Sequence, residues 1–535
     1  MRQDNLLHTW QEGMFVIFVS HQWLGEAHPD PQGRQCAVLR TALQSMMDGS
    51  LKIESDPVTV MNRTTTFSSD ERQQIADGFL FFDWFAIPQI TARLEGVNED
   101  ETRSDAALAV QSIPAYVEVS NLFIALVPEL THTVTGARCN YISWLSRGWC
   151  RAELFCHVLS HNRYTSLVVV FSTTEAEYMF PLDWQLNAIA DGAFTVESDR
   201  AAVIRLGELA VRAKIEHLSS AGPLSSYRFY LANRAQLLGQ KKTWDVDAFL
   251  EEFRFSSFEA AAKDSNSMNG IMCAVFASDV DLIRSLVKSE ADVNFRLHGL
   301  DHFGYFDSQT LLMAAAKSHQ PAEVLAALIE LKGDVNMQAA NGASTVFMMR
   351  SPEQVRTVVA ARAELHKGGL PLELTPLTGV SSWANVETVA SMLESRCDPN
   401  PELRGIGYGP LHGIAFFSRS NRYANEIAAL LISHRADVNR RVQPRNRYCF
   451  LCAVARAECA FNGFGASSLM TRVFASMPGI TPLGMAALVG AEGMTNLLLE
   501  SGAEPMANDR GDTPEDLAAA NQHFHVLQSL ATFSV

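Results

Sequence analysis

Four short apolar runs punctuate the first third of the chain: Met14 to Val19, Phe79 to Phe82, Leu122 to Val127 and Leu167 to Phe171. Each has the length of a strand, and none alternates apolar with polar residues, which is the pattern of strands covered on both faces. Between them lie segments with helical spacing, Gln35 to Met47, Asp105 to Ser120 and Trp149 to Ser160. This alternation of strand and helix predicts an α/β domain on a doubly wound parallel sheet, residues 1–200, with Gly192 to Val196 as an added edge strand. Such a sheet gathers ligands outside the carboxyl ends of its strands. Ser20, His21, Gln22 and Trp23 follow the first run and Asp83 and Trp84 the second, so these residues are expected to meet along one edge.

The helix expected nearest that edge is apolar nearly all the way round, through Trp149, Cys150, Ala152, Leu154, Phe155, Cys156, Val158 and Leu159. Ser146 is placed to cap it. Glu153 is its one carboxylate, between Trp149 and His157 at i−4 and i+4. A buried carboxylate without a partner is costly. Glu153 is therefore either held by a salt bridge or hydrogen bond that fixes the helix, or used in chemistry. Cys150 and His157 are two turns apart, roughly 10 Å along the axis, too far for a direct thiol–imidazole pair. Residues 201–265 read as a helical bridge, with Val203, Leu206, Leu209, Ala210 and Ala213 on one face and an acidic amphipathic stretch from Asp245 to Phe258.

From residue 266 to 535 a tetrad recurs after each helical segment: Ala291-Asp292-Val293-Asn294, Gly333-Asp334-Val335-Asn336, Ala363-Glu364-Leu365-His366, Cys397-Asp398-Pro399-Asn400, Ala436-Asp437-Val438-Asn439 and Ala503-Glu504-Pro505-Met506. The spacing is near a 33-residue unit with insertions, which means a solenoid. Thr375-Pro376-Leu377, Gly409-Pro410-Leu411-His412, Thr481-Pro482-Leu483 and Thr513-Pro514 open helices, with Thr as cap and Pro in the first turn, where its missing N–H is not needed. Residues 440–479 separate two tetrads by an excess close to one repeat, and are either a degenerate unit or a binding insertion. Arg440, Arg441, Arg445 and Arg447 form a basic cluster there, beside apolar Tyr448 to Val454, a combination suited to an acidic protein partner.

Composition narrows the function classes. The 535 residues suffice for about three domains, and 47% hydrophobic with 19% charged residues is globular. A formal charge of −16 argues against a nucleic-acid partner. With no apolar stretch near the start and none approaching the ~20 residues that span a bilayer, the expectation is a soluble, cytoplasmic or otherwise intracellular protein. Nine cysteines fit reduced thiols; Cys449, Cys452 and Cys459 lack the partners of a zinc site and are expected to pack in a core.

Two resemblances add to this reading. The succession FVIFVSHQW, LFFDWFAIPQ, SIPAYVEVSNLFIALVP and SRGWCRAEL resembles the Toll/interleukin-receptor (TIR) family, whose members read strand-Ser, strand-Asp, a helix ending in Ser before the third strand, then Ser shortly before Trp-Cys-x-x-Glu-Leu. It covers about the first third of the chain and implies a flavodoxin-like fold. In enzymatic TIR domains the Glu of the last motif cleaves NAD, and it falls on Glu153. Ser20, His21, Trp23, Asp83, Trp84 and Trp149 would then surround the dinucleotide, which is a substrate, with no further cofactor and no metal required. Other TIR domains are adaptors that self-associate. Two stretches depart from the family: Ile90 to Ser104 is long and acidic where relatives often carry Arg-Gly, and Glu129 to Ser143 is extended. The tetrads and Thr-Pro-Leu starts resemble ankyrin repeats, which implies a protein partner. Together they imply a signalling or scaffold protein, or an NAD-cleaving enzyme regulated by its repeat array.

Overall fold

A computed structural model describes residues 7–51, 53–54, 67–87, 108–109, 111–161, 166–240, 243–369, 372–402, 404–465 and 467–533. The acidic stretch 90–104 lies outside them. The chain divides into two compact units, Met1–Lys242 and Thr243–Val535.

The first unit runs β1 (Val16–His21), α1 (Arg34–Asp48), β2 (Ile53–Glu54), α2 (Ser69–Ala76), β3 (Phe79–Phe82), α3 (Asp83–Ala86), α4 (Ile113–Glu118), β4 (Leu122–Leu126), β5 (Leu130–Thr131), β6 (Arg138–Cys139), α5 (Tyr141–Ser146), α6 (Gly148–Val158), β7 (Ser166–Val170), β8 (Ala176–Tyr178), α7 (Pro181–Gln185), α8 (Asp199–Ala221) and α9 (Leu224–Leu237). The main sheet has the order β2-β8-β7-β4-β1-β3. The four strands expected from the apolar runs are mutually parallel neighbours. The sheet as a whole is mixed, because β8 runs antiparallel to β7. Only residues 171–175 join those two strands, which permits a hairpin and not a crossover.

Alternating residues of the strands feed two apolar layers. Ile17, Val19, Ile124 and Val168 pack with Leu39 and Met46 of α1, while Phe18 and Phe123 stack on the other face with ring centroids 5.3 Å apart. Burial on both faces is why β1, β4 and β7 read as apolar runs. β3, expected to be covered likewise, lies at the sheet edge, buries only Phe82 and leaves Leu80 exposed.

Gly192 to Val196 forms no strand. Its one bridge is between Ala193 and Arg147, where the Gly148 N–H donates to the Ala193 carbonyl at 2.9 Å and the Ala193 N–H to the Ser146 carbonyl at 2.7 Å. The approach is so close that a Cβ on Gly148 would sit 2.0 Å from the Phe194 ring. Ser146 ends α5 and is not the cap of α6; Arg147 holds that position, with no side-chain cap. The stretch 201–265 is shared between the units. α8 packs on α6 and α9 on α8, whereas residues 243–265 belong to the second unit.

The second unit opens with α10 (Val246–Phe253) and α11 (Phe258–Lys263) and continues as antiparallel helical pairs. These are α12 (Gly270–Phe276) with α13 (Val280–Lys288), α14 (Leu311–Lys317) with α15 (Ala322–Glu330), a 3-10 turn (Thr345–Phe347) with α16 (Pro352–Ala360), α17 (Pro376–Trp383) with α18 (Val386–Glu394), and α19 (Pro410–Phe416) with α20 (Ala424–Ser433). Then come α21 (Arg447–Asn462) with α22 (Leu469–Ser476), α23 (Pro482–Val489) with α24 (Glu492–Glu500), and α25 (Pro514–Ala520) with α26 (Phe524–Phe533). Thr375, Thr481 and Thr513 each accept a backbone N–H at a helix start, as the Thr-Pro motifs predict, and Thr310 does the same without a following Pro.

The stack has two columns. First helices pack on first helices and second on second, from α12 and α13 to α25 and α26. The pair α21–α22 is left out of both columns: α19 packs directly on α23, and α20 on α24. Residues 440–479 therefore carry an inserted hairpin. Its base is closed by the Val442 N–H on the Ile480 carbonyl at 2.9 Å and the Gly479 N–H on the Val442 carbonyl at 2.8 Å.

Asparagines of the tetrads join successive tips. Asn294 Oδ1 accepts the Asp334 N–H, Asn336 Oδ1 that of Glu364, Asn400 Oδ1 that of Asp437 and Asn439 Oδ1 that of Glu504, each at 2.8 Å. The Nδ2 groups of the same asparagines donate to Lys332, Arg362, Arg435 and Gly502 carbonyls. The rung from Asn439 spans the whole insertion.

Candidate functional site

β1 ends in Ser20 and His21, and α6 crosses that end of the sheet with Glu153 facing it. Ser20 Oγ lies 2.5 Å from Glu153 Oε2, and Trp144 Nε1 lies 2.9 Å from Ser20 Oγ. An indole N–H only donates. Ser20 Oγ must therefore accept from Trp144, which leaves the Ser20 hydroxyl proton for Glu153. Donor chemistry fixes the direction from Trp144 to Ser20; the Ser20 hydroxyl donates on to Glu153 Oε2 when that carboxyl is ionised, and the neutral acid can donate back to Ser20 Oγ. Trp144 and Ser20 are both buried.

Glu153 keeps part of its surface open, yet its carboxyl is pushed up to about 8. Desolvation by the surrounding protein is the main cause; the Ser20 hydrogen bond opposes it and the like charge of Asp83 adds to it. At neutral pH the group is mostly a neutral acid, able to give or take a proton near pH 8. His21 Nε2 stands 3.7 Å from Asp83 Oδ1, without a hydrogen-bond partner among the described residues. Burial holds His21 below its ordinary range despite the pull of Asp83 and Asp30. Its ring stacks on Phe82 at 4.2 Å.

Beside Asp83, whose Oδ1 accepts the Trp84 N–H at 2.6 Å, the Trp84 ring meets Trp23 edge-on at 5.3 Å and His28 at 5.0 Å. Ser20, His21, Asp83 and Glu153 thus form a polar group with Trp23 and Trp84 next to it. Trp149 is engaged elsewhere: its Nε1 donates to Asp199 Oδ2 at the start of α8, at 3.0 Å. A thiol nucleophile finds no support. Cys150 donates to the His21 carbonyl, and burial with Glu153 nearby pushes its thiol well up. Trp144 is the residue that sequence reasoning passed over. Its signal was available, since a buried tryptophan usually finds an acceptor for its N–H.

The four arginines of the insertion do not form one cluster. Arg440 donates to the Pro401 carbonyl. Arg441 reaches the Ala507 carbonyl and Asp509, both at 2.8 Å. Arg447 meets Glu373 at 3.3 Å and Tyr448 at 2.7 Å. Arg445 is exposed. Arg440 and Arg441 thus serve to seat the insertion on the tips on either side. Of the three cysteines expected in a core, Cys452 and Cys459 are buried and Cys449 is exposed, because the helix face that packs inward passes through positions 452, 455 and 459. Among the described residues no His, Cys, Asp and Glu group is arranged to hold a metal ion, and no helix is long and apolar enough to cross a membrane.

No protein-family model and no curated protein matches the chain. Among solved structures it is similar to the human ASB11 ankyrin repeat domain, at 17% identity and a TM-score of 0.33, over 49% of this chain and 95% of that one.

Proposed function

We propose that this chain is a scaffold whose ankyrin-like array recognises a protein partner, while a TIR-like α/β unit mediates assembly. The observation that carries the first part is the ladder of tips. Each tetrad presents an exposed carboxylate, at Asp292, Asp334, Glu364, Asp398, Asp437 and Glu504, and the asparagine rungs hold most of these tips at fixed spacing. A row of charged tips beside stacked helices is a surface suited to protein recognition. The second part is supported by the strand order β3-β1-β4-β7, which among the four long strands is the flavodoxin-like 2-1-3-4. The test is crosslinked capture by the immobilised full chain and by a variant with Asp334, Glu364 and Asp398 changed to Ser. Loss of a reproducible set of captured proteins in the variant is expected; identical sets from both proteins would overturn the reading.

A second reading rests on Glu153. A partly open carboxyl anchored by Ser20 at the strand end, with Trp23 and Trp84 following the ends of β1 and β3, is suited to stabilising the cation that develops when the nicotinamide–ribose bond of NAD breaks. That role needs the ionised form, so nicotinamide release should rise with pH through about 8. Glu153→Gln should reduce it about 10² to 10³-fold. Absence of nicotinamide release from the full chain across this pH range removes the reading.

A further inference from the structure

α21 carries two apolar faces, and neither packs into the two columns of the repeat stack. Tyr448, Cys452, Ala455 and Cys459 are buried on one face, where Ala455 and Cys459 cluster with Ala475 of α22 and the Tyr448 hydroxyl lies against Glu373. On the opposite side Phe450, Val454 and Phe461 are 74%, 47% and 92% exposed, with Ala457 exposed between them. At about 100° per residue these four fall within about 60° of one another. Their intervals of four, three and four residues are those of a coiled-coil seam, the d, a, d and a positions of a heptad. The intervals also read the same in both directions.

We propose that this seam pairs with the same seam of a second copy of the chain, antiparallel about a two-fold axis. An isologous contact requires a surface complementary to itself. In the antiparallel register Phe450 lies level with the partner's Phe461, and Val454 with the partner's Ala457. A parallel pair would set Ala457 against Ala457, leaving a hollow, and would bring the Arg447 side chains together. The antiparallel order instead carries the exposed Arg445 to the carboxyl end of the partner's helix, beside the half that holds Glu458, where unpaired carbonyls favour cations, while Arg447 stays with Glu373 and Tyr448 of its own chain. The surface differs from any assembly through the α/β unit, so the two readings fail separately. Four layers of one helix pair fall short of the ~1,600 Å² of a standard interface, so the pair is reversible.

Sedimentation velocity of the full chain from about 1 to about 200 µM, the range of micromolar affinity, tests this. A sedimentation coefficient that rises with concentration is expected. Phe450→Asp with Phe461→Asp should abolish the rise, with the thermal melt of the array unchanged, since the hairpin lies outside the stack. Ala457→Leu, which fills the layer opposite Val454, should strengthen pairing several-fold. Phe524→Asp, at another exposed aromatic, should leave it unchanged. A monomer at every concentration overturns the proposal, as does self-association that survives the double Asp variant or is equally lost with Phe524→Asp.

Discussion

Glu153 is held by one hydrogen bond from a serine whose own geometry is set by a buried tryptophan. Because burial outweighs that hydrogen bond, the folded protein binds a proton there that the unfolded chain releases near pH 4.5. The sign follows: below pH 4.5 both states are protonated and Glu153 has no effect on stability, and as pH rises toward 8 the unfolded state gains from ionising while the folded state does not. Glu153 therefore destabilises the first unit increasingly between pH 4.5 and about 8. Glu153→Gln should raise stability by about 1–3 kcal/mol at pH 7, after discounting for the partial exposure of the side chain, and leave it unchanged at pH 4. Urea unfolding of residues 1–242 at both values checks this. A difference independent of pH would mean that the carboxyl ionises at the same pH in the folded and unfolded states. Ser20 and Trp144 show the limit of pattern reading at this scale. Their residue types suggest a polar strand end and a buried aromatic, but the direction of the hydrogen bonds needs all three atoms in place.

At the scale of elements, what the sequence predicted and what it missed differ in kind. Thr-Pro starts act within a few residues, as does the bond inside each Asp-x-Asn tetrad from the Asn N–H to the Asp Oδ1, so both can be read one at a time, whereas the rungs to the next tip cannot. The pair α21–α22 has the same local features as a repeat: a capped second helix, a buried face and repeat-like length. Only the packing of α19 on α23 distinguishes an insertion from a unit, and that contact spans residues far apart in sequence. The third pair failed in the opposite way. Its tetrad is present, but its first helix is only a 3-10 turn over Thr345–Phe347, ahead of the Ser351 cap of α16. The mixed sheet likewise depends on a short hairpin after β7. One rung of the ladder is weaker by composition: His366 stands where four of the other tetrads have Asn294, Asn336, Asn400 and Asn439, and its side chain makes no hydrogen bond to the next tip among the described residues. His366→Asn should complete the rung and raise stability by about 0.5–1.5 kcal/mol, while Asn400→Ala should lower it by about 1–2 kcal/mol. Thermal melts of the two variants test the ladder, and no change in either would show that the tips are held by helix packing alone.

Across the whole molecule the repeat unit begins earlier than its tetrads do. α10 and α11 belong to it, with Phe249, Phe253 and Ala261 fully buried, and Gly270 at the start of α12 lies so close to α11 that a Cβ there would come within 2.6 Å of the Ala261 carbonyl oxygen. The two helices therefore act as the amino-terminal cap that a solenoid needs, covering the apolar side of its first pair. Burial of the two phenylalanines contributes on the order of 3–6 kcal/mol, an upper bound because the unfolded chain already hides part of that surface. A fragment of residues 243–535 should unfold in one cooperative melt. A fragment of residues 266–535 should melt about 5–15 °C lower and lose cooperativity first at α12 and α13, as hydrogen exchange there would show. The insertion is dispensable by the same reasoning. Its ends are clamped by the backbone pair between Val442 and Gly479, so replacing residues 443–478 with an Asn-Gly turn should leave the columns intact and shift the melt by no more than a few degrees. An array that unfolds without residues 443–478 would mean that α22 supports α25 and α26, through the Arg472 contact with Asn521, more than the direct stacking of α19 on α23 does.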